Sequence, residues 1–329
     1  MTMRAKGWRN LRAVLAPVAA GVCVMAATAA VLVPVLGGGS PAPRPLPYGT
    51  GTARADATAA DCTPANAAAS LRPSPDGGPA VDRIKARGRL IVGVDQNTYR
   101  WGYRNPATGD LVGFDIDLVR AIAEDILGAD PKITFRAIPT NQRIPALQER
   151  TVDLVVRTMT INCARKRQVA FSTAYFQGGQ QVLAPKNSTI TAFDDSLKGK
   201  RVCTAAGSTG EARLAEERHG AEVVTVPNQL DCLVRLQLGE ADAVVTDNAL
   251  AAAQAAQDPT VQLKGKPFTD EPYGVAVNRA DTDLVRRVNK VLEDYRDGGG
   301  KSRWMAAYEK WLKADLPGIT KAPEPQYSD

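Results

Sequence analysis

From residue 83 onward, short continuous apolar runs alternate with stretches whose apolar residues recur at helical spacing. Arg89-Leu-Ile-Val-Gly-Val94 predicts a buried parallel strand. Leu118, Val119, Ile122, Ala123 and Ile126 then share one helical face, with Asp115 placed as the N-cap. A strand over Lys132–Arg136, a short helix over Gln142–Gln148 and a strand over Asp153–Val156 complete this run. The pattern then restarts. Strands are expected at Lys200–Cys203, Glu222–Val226 and Ala241–Val245, with helices at Gly210–His219 and Leu230–Leu238 between them. Two successive runs of this kind predict two α/β lobes. The C-terminus adds helices around Leu284–Tyr295 and Trp304–Leu312, where Trp304, Tyr308 and Trp311 form a stripe read as packing.

The N-terminal end is built differently. Arg4, Lys6, Arg9 and Arg12 precede an uncharged, mostly apolar stretch from Ala13 to Leu36. This is the layout of an export signal or a membrane anchor, with the N-terminus in the cytoplasm. Its length favours an anchor, whereas Pro17, Pro34 and the small residues from Gly37 to Ser40 favour cleavage. Residues 1–39 are therefore a signal peptide or anchor, and neither Cys23 nor Cys62 is placed for lipid attachment. Residues 40–80, rich in Pro, Gly, Ala, Ser and Thr, cannot bury a core and are expected to be a flexible tether.

Charge follows this division. The chain has 41 Lys+Arg and 35 Asp+Glu, a net charge of +6. Residues 1–60 hold six of the basic groups and a single acid, Asp56, so five units of the excess lie there and one remains for the body. A near-neutral body removes the electrostatic basis for nucleic-acid binding. The only histidine, His219, excludes multi-histidine metal sites and reads as a helix end before Gly220. No cofactor or metal is expected. The four cysteines beyond the leader permit two disulfides in an exported chain. Cys203 and Cys232 fall in one strand–helix segment and are expected to pair, which leaves Cys62 to tie the tether to Cys163.

Gly113-Phe-Asp-Ile-Asp-Leu-Val-Arg-Ala-Ile-Ala-Glu-Asp-Ile126 resembles the signature of the family 3 extracytoplasmic solute-binding proteins, the amino-acid receptors of ABC importers. The likeness continues in order through Asp153-Leu-Val-Val-Arg-Thr-Met-Thr-Ile161, Arg165, Phe171-Ser-Thr-Ala-Tyr175, Leu197–Val202, Gly207-Ser-Thr-Gly210 and Gly239–Asp247, and runs from about Val81 to Leu312. It departs at Asn162-Cys163, where relatives often have Thr-Pro. The resemblance implies a type II periplasmic-binding-protein-like α/β fold, two lobes with parallel or mixed sheets flanked by helices, and ligand held in the cleft. Lobe 1 would comprise residues 81–182 and 274–329, lobe 2 residues 183–273, with crossovers near Gln181–Pro185 and Glu271–Val275.

For a zwitterionic ligand the resemblance gives Arg165 the α-carboxylate and Asp247 the ammonium. Thr158 and Thr160 would supply hydroxyl and backbone groups from lobe 1, and Ser208 and Thr209 a carboxylate seat at a strand-to-helix turn of lobe 2. The stretch Asn141–Gln148 is similar to its counterpart in glutamate/aspartate receptors of the family, and places Arg143 on the distal carboxylate. Arg100 and Arg157 are further candidates, unless they point outward or pair with Asp95, Asp115 or Asp117. So many arginines against one acid imply an acidic ligand, glutamate or aspartate. The partners implied are an ABC permease, the membrane through the N-terminal segment, and no second copy of the chain. A receptor feeding a membrane signalling partner would use the same site. An enzyme is disfavoured, because the Asp115/Asp117 pair reads as helix capping rather than as a proton-abstracting acid.

Overall fold

A computed structural model describes residues 62–328. The basic leader, its apolar run and the tether up to residue 61 lie outside the described residues. In chain order the elements are α1 (Pro79–Arg87), β1 (Leu90–Val94), β2 (Asn97–Thr98), β3 (Gly102–Arg104), β4 (Leu111–Val112), α2 (Phe114–Leu127), β5 (Ile133–Ala137), α3 (Arg143–Gln148), β6 (Leu154–Val155), α4 (Cys163–Lys166), β7 (Val169–Phe171) and β8 (Phe176–Gly178). They continue with β9 (Gln180–Pro185), β10 (Arg201–Ala205), α5 (Thr209–Glu216), β11 (Glu222–Val226), α6 (Gln229–Gln237), β12 (Ala243–Asp247), α7 (Asn248–Gln257), β13 (Val261–Lys264), β14 (Glu271–Tyr273), β15 (Ala276–Asn278), α8 (Thr282–Arg296) and α9 (Arg303–Trp311).

The apolar runs become the central strands of two mixed five-stranded sheets. Lobe 1 has the order β5-β1-β6-β15-β7 and lobe 2 the order β11-β10-β12-β9-β13. In each, the βα repeats give parallel pairs (β1 with β5 and β6, β10 with β11 and β12), while the returning strands β15 and β9 run antiparallel. Helices cover both faces, so β12 is buried along its whole length. Val182, Val202 and Val245 pack one side of the lobe 2 sheet, and Leu183, Cys203 and Val244 the other. This is the two-residue alternation of strand side chains. In lobe 1, α2 lays Leu118, Val119, Ile122 and Ile126 onto the core, beside a cluster of Trp101, Phe114, Phe176, Tyr273 and Trp304. Trp304 and Tyr308 are buried packing residues, and the Trp304 indole donates to the Tyr175 carbonyl at 2.7 Å.

The two crossovers pair with each other. β8 and β14 form an antiparallel ribbon, Phe176 opposite Tyr273 and Gly178 opposite Glu271. The first crossover strand is Phe176–Gly178, earlier than Gln181–Pro185. Those residues belong to β9, a buried strand that inserts between β12 and β13, so Gln180–Val182 already belong to lobe 2.

Three other expectations change. Both cysteine pairs are disulfides, Cys62–Cys163 and Cys203–Cys232, as the segment argument gives. The second closes a separation of 29 residues, worth about 3–4 kcal/mol on chain-entropy grounds. The part of the expected tether that lies within the described residues, from Cys62 onward, is fixed to the body. Residues 62–78 lie on lobe 1, where Ser70 Oγ donates to the Phe171 carbonyl and Asn289 Nδ2 donates to Ser70 Oγ. Composition had hidden this because the contacts are mostly main-chain, made by small residues. Helix α5 stops at Glu216, short of His219, which sits in the left-handed region at φ 49°.

Asp115 does not cap α2. Gly113 occupies the cap position with φ 133°, and a Cβ there would lie 2.3 Å from the Trp101 carbonyl oxygen. That close approach lets the Phe114 and Asp115 amides bond to the Arg100 and Trp101 carbonyls, and swings the Asp115 side chain inward. Only glycine tolerates both constraints. Gly113→Ala is expected to destabilise the protein by about 3 kcal/mol in urea unfolding, whereas Gly88→Ala, at φ 67° with open space around it, should cost about 1 kcal/mol. Equal losses would show that the Trp101 contact imposes nothing.

Candidate functional site

The cleft forms where strand ends and helix starts of the two lobes face one another. This is the position at which open α/β sheets present backbone donors and small side chains. Lobe 1 contributes Thr140, Arg143, Arg157, Thr158, Thr160 and Arg165, and lobe 2 contributes Ser208, Thr209, Gly210, Gln229, Thr246, Asp247 and Leu250. The space between these residues, counted together with its part open to solvent, is about 370 Å³. Arg143 opens α3, Thr158 and Thr160 follow β6, and Arg165 sits in the single turn of α4, whose first amides are capped by Asn162. Asp247 ends β12. Ser208 is the N-cap of α5, its Oγ accepting from the Glu211 amide, so that the amides of Thr209 and Gly210 begin the helix facing the cleft.

Eight of the nine ligand residues expected from the sequence line this cleft. Arg100 does not. Its Nη1 lies 2.8 Å from Asp315 Oδ2 and its guanidinium packs 5.0 Å from the Tyr99 ring. None of the acids considered for it is its partner. Asp315 lies just beyond α9, 215 positions away, and the left-handed backbone of Arg100 (φ 65°) turns the side chain towards it.

The remaining three arginines differ sharply. Arg157 lines the cleft but is already paired: Nη2 is 2.9 Å from Asp95 Oδ2, and Nη1 donates to Thr140 Oγ1 at 2.9 Å. Arg143 is 4% exposed and its donors reach only carbonyl oxygens, those of Thr140 (2.9 Å), Arg157 (3.4 Å) and Gly207 (3.3 Å). Arg165 likewise donates to the carbonyls of Thr160 (2.8 Å) and Gly207 (3.1 Å). Among the described residues neither Arg143 nor Arg165 has a carboxylate within ion-pair distance. Burial first, and then the like charges of Arg165 and Arg157, make the Arg143 cation much less favourable than usual. Burial does the same to Arg165, where the nearby charges of Glu271 and Asp247 act in its favour.

Two buried carboxyl groups face these cations from lobe 2 and the crossover. Asp247 accepts from the Tyr273 hydroxyl at 2.7 Å. Burial, followed by repulsion from Glu271, pushes its pKa up to about 7. Glu271 is 4% exposed and satisfied by three neutral donors, Gln180 Nε2, Thr209 Oγ1 and Thr269 Oγ1, at 2.9 to 3.0 Å. The sequence reading missed Glu271, as well as Thr140, Gln229 and Thr246. Thr140 and Gln229 lie next to βα junctions and Thr246 near the end of β12, so the strand-end rule alone could have found them. Glu271 gave no such signal, because it lies on a crossover.

A third carboxyl group acts behind the cleft. Asp115, 1% exposed, accepts from the Tyr175 hydroxyl at 2.9 Å and from the Thr158 amide at 3.1 Å, and burial raises its pKa to about 7. Thr158 is held at φ 41°, and its N–H points to Asp115 rather than into the cleft. Its expected backbone contribution is therefore withdrawn, while its side chain still lines the site.

The fold and site define a two-lobed binding protein whose cleft is arranged to hold a small polar solute. The chain belongs to the bacterial extracellular solute-binding proteins, family 3, whose model matches residues 90–314. This is a family of binding proteins rather than enzymes. The chain is 38% identical over 232 residues to the ABC transporter glutamine-binding protein GlnH of Bacillus subtilis, covering 70% of this chain and 84% of that one. It is 29% identical over 246 residues to an L-glutamate/L-aspartate-binding protein of Pseudomonas aeruginosa, covering 71% and 80%. Among solved structures it resembles a mutant of the arginine-binding protein ArgBP from T. maritima, with TM-score 0.66 and 33% identity over 71% of this chain and all of that one.

The raised pKa of Asp247 has a directional consequence. A ligand cation against Asp247 favours the ionised carboxylate, so binding below pH 7 must release a proton. Affinity should therefore tighten about tenfold between pH 6 and pH 8. Asp247→Asn should bind weakly and lose that slope. A wild-type affinity that is flat or falls over this range would remove Asp247 from the cation seat.

Proposed function

We propose that this protein binds an acidic amino acid, glutamate or aspartate, outside the cytoplasmic membrane and delivers it to an ABC importer. The observation that carries the reading is the pair of buried guanidinium groups, Arg143 and Arg165, each held by main-chain carbonyls and neither matched by a carboxylate. Arg157 is neutralised by Asp95, and Arg100 lies outside the cleft. These two cations have no carboxylate within ion-pair distance, and a dicarboxylic amino acid carries two. Arg165 takes the α-carboxylate with the N-terminal amides of α5, Asp247 takes the ammonium, and Arg143 takes the distal carboxylate. Charge-assisted hydrogen bonds to buried guanidinium groups are the strongest of the polar contacts available here. The glutamate/aspartate-binding relative supports this assignment.

A second reading, glutamine, has two observations in its favour. One is the more similar relative named for it. The other is Glu271, which lowers the net positive charge beside Arg165. An amide oxygen could also accept from Arg143, but it would leave that buried cation without a counter-charge. Glu271 is held by three neutral donors and lies outside ion-pair distance of both guanidinium groups, so the acidic ligand is preferred. Delivery to an importer accords with the ABC transporter relative, and the apolar run at Ala13–Leu36 accords with export and retention at the membrane. The same site would serve a receptor that reports to a membrane signalling partner.

Isothermal calorimetry with glutamate, aspartate, glutamine and arginine distinguishes these ligands. One of the two acids should bind most tightly. Arg143→Ala should weaken the acids by about a hundredfold and glutamine by less than tenfold, whereas Arg165→Ala should weaken all four. Tighter binding of glutamine or arginine than of both acids would refute the acidic reading.

A further inference from the structure

We propose that the N-terminal segment 62–70, through the Cys62–Cys163 disulfide and a bond from Lys166 to Ala69, positions Arg165 for the ligand. The inference rests on Arg165 being a ligand residue, as proposed above. Arg165 is carried by α4, four residues long, which is far too short to hold its own geometry. Its ends are fixed from outside. Cys163, the first residue, is bonded to Cys62, and Lys166, the last, donates its Nζ to the Ala69 carbonyl at 2.8 Å. Arg165 lies between the two attachments, with its amide bonded to Asn162 Oδ1 at 2.9 Å.

The segment that supplies both attachments is itself anchored at Ser70. The Ser70 amide donates to Gln326 and its hydroxyl to Phe171, while its own carbonyl accepts from Ser328. Asn289 on α8 donates to Ser70 Oγ at 2.8 Å and to the Leu71 carbonyl at 2.6 Å. The turn bearing Arg165 is thus clamped to α8 and to the C-terminal tail by a segment outside the α/β repeats. The same segment borders an open depression in which Ala65 and Ala68 face Thr160 and Thr209, two residues of the ligand cleft. The disulfide lies on the wall of this depression, where solvent reaches it. A merely structural crosslink could join lobe 1 at any surface position. This one, with Lys166, brackets the turn that carries a ligand-reading guanidinium.

The test is a double-mutant cycle in the full-length protein, with glutamate affinity by calorimetry and thermal unfolding measured on each variant. Cys62→Ser is expected to weaken glutamate about tenfold in the wild-type background and not at all once Arg165→Ala is present. Lys166→Met, which keeps the disulfide, is expected to weaken it several-fold with the same dependence on Arg165. If the variants lose the same factor in both backgrounds, or bind glutamate as tightly as the wild type, the positioning role is overturned. If Arg165→Ala itself binds glutamate normally, the reading of Arg165 as a ligand residue fails, and the proposal with it.

Discussion

The structure depends on keeping two guanidinium groups charged in a place from which water is largely excluded. Burying an unpaired ion costs several kcal/mol, and here the cost is met in direct contact by oriented main-chain carbonyls, with the charges of Asp247 and Glu271 helping from further away. The Gly207 carbonyl is shared by Arg143 and Arg165, although they lie on lobe 1 and it lies on lobe 2. The closed arrangement of the lobes and the electrostatics of the cleft are therefore one problem. A Cβ at Gly207 would come within 2.9 Å of the Asn141 Cα, so the approach of the lobes also requires this glycine, at φ 76°. A carbonyl dipole offsets only part of a full charge. The deficit left over favours any ligand that brings anionic oxygens, and so couples binding to the closed state.

Around that centre each carboxyl group has a distinct duty. Asp95 neutralises Arg157 and leaves it as a wall of the site. Asp115 is spent on the backbone, holding Thr158 in a left-handed conformation with help from Tyr175. Glu271 ties the crossover strand to Thr209 at the start of α5, linking the ribbon between the lobes to the carboxylate seat. Among the described residues the Asp247 carboxyl accepts a side-chain hydrogen bond only from Tyr273, and burial beside Glu271 raises its pKa.

Much of this was legible in the chain. The continuous apolar runs gave the central strands and the two lobes, because a strand buried on both faces leaves an unmistakable pattern. Thr158, Thr160, Ser208 and Thr209 were readable because strand ends face the cleft, whereas Arg143, Arg165 and Asp247 came from the family resemblance. Four features were not. Arg100 finds Asp315 only through the tertiary path of α9, so no local pattern reveals its partner. The first crossover was expected near Gln181–Pro185 from the resemblance alone, and no local pattern shows that these residues join the lobe 2 sheet as β9. Asp115 looked like a cap because acids at helix starts usually are, and only the contact of Gly113 with Trp101 turns it inward. The segment after Cys62 was obscured by composition, since alanine, serine and proline order themselves here through main-chain bonds.

The crystal structure of the glutamate complex is the most direct test of the two-cation cleft. The ligand's α-carboxylate should lie on Arg165, its distal carboxylate on Arg143, and its ammonium on Asp247. A complex in which the distal carboxylate lies away from Arg143, with that guanidinium still bonded only to the carbonyls of Thr140, Arg157 and Gly207, would contradict it.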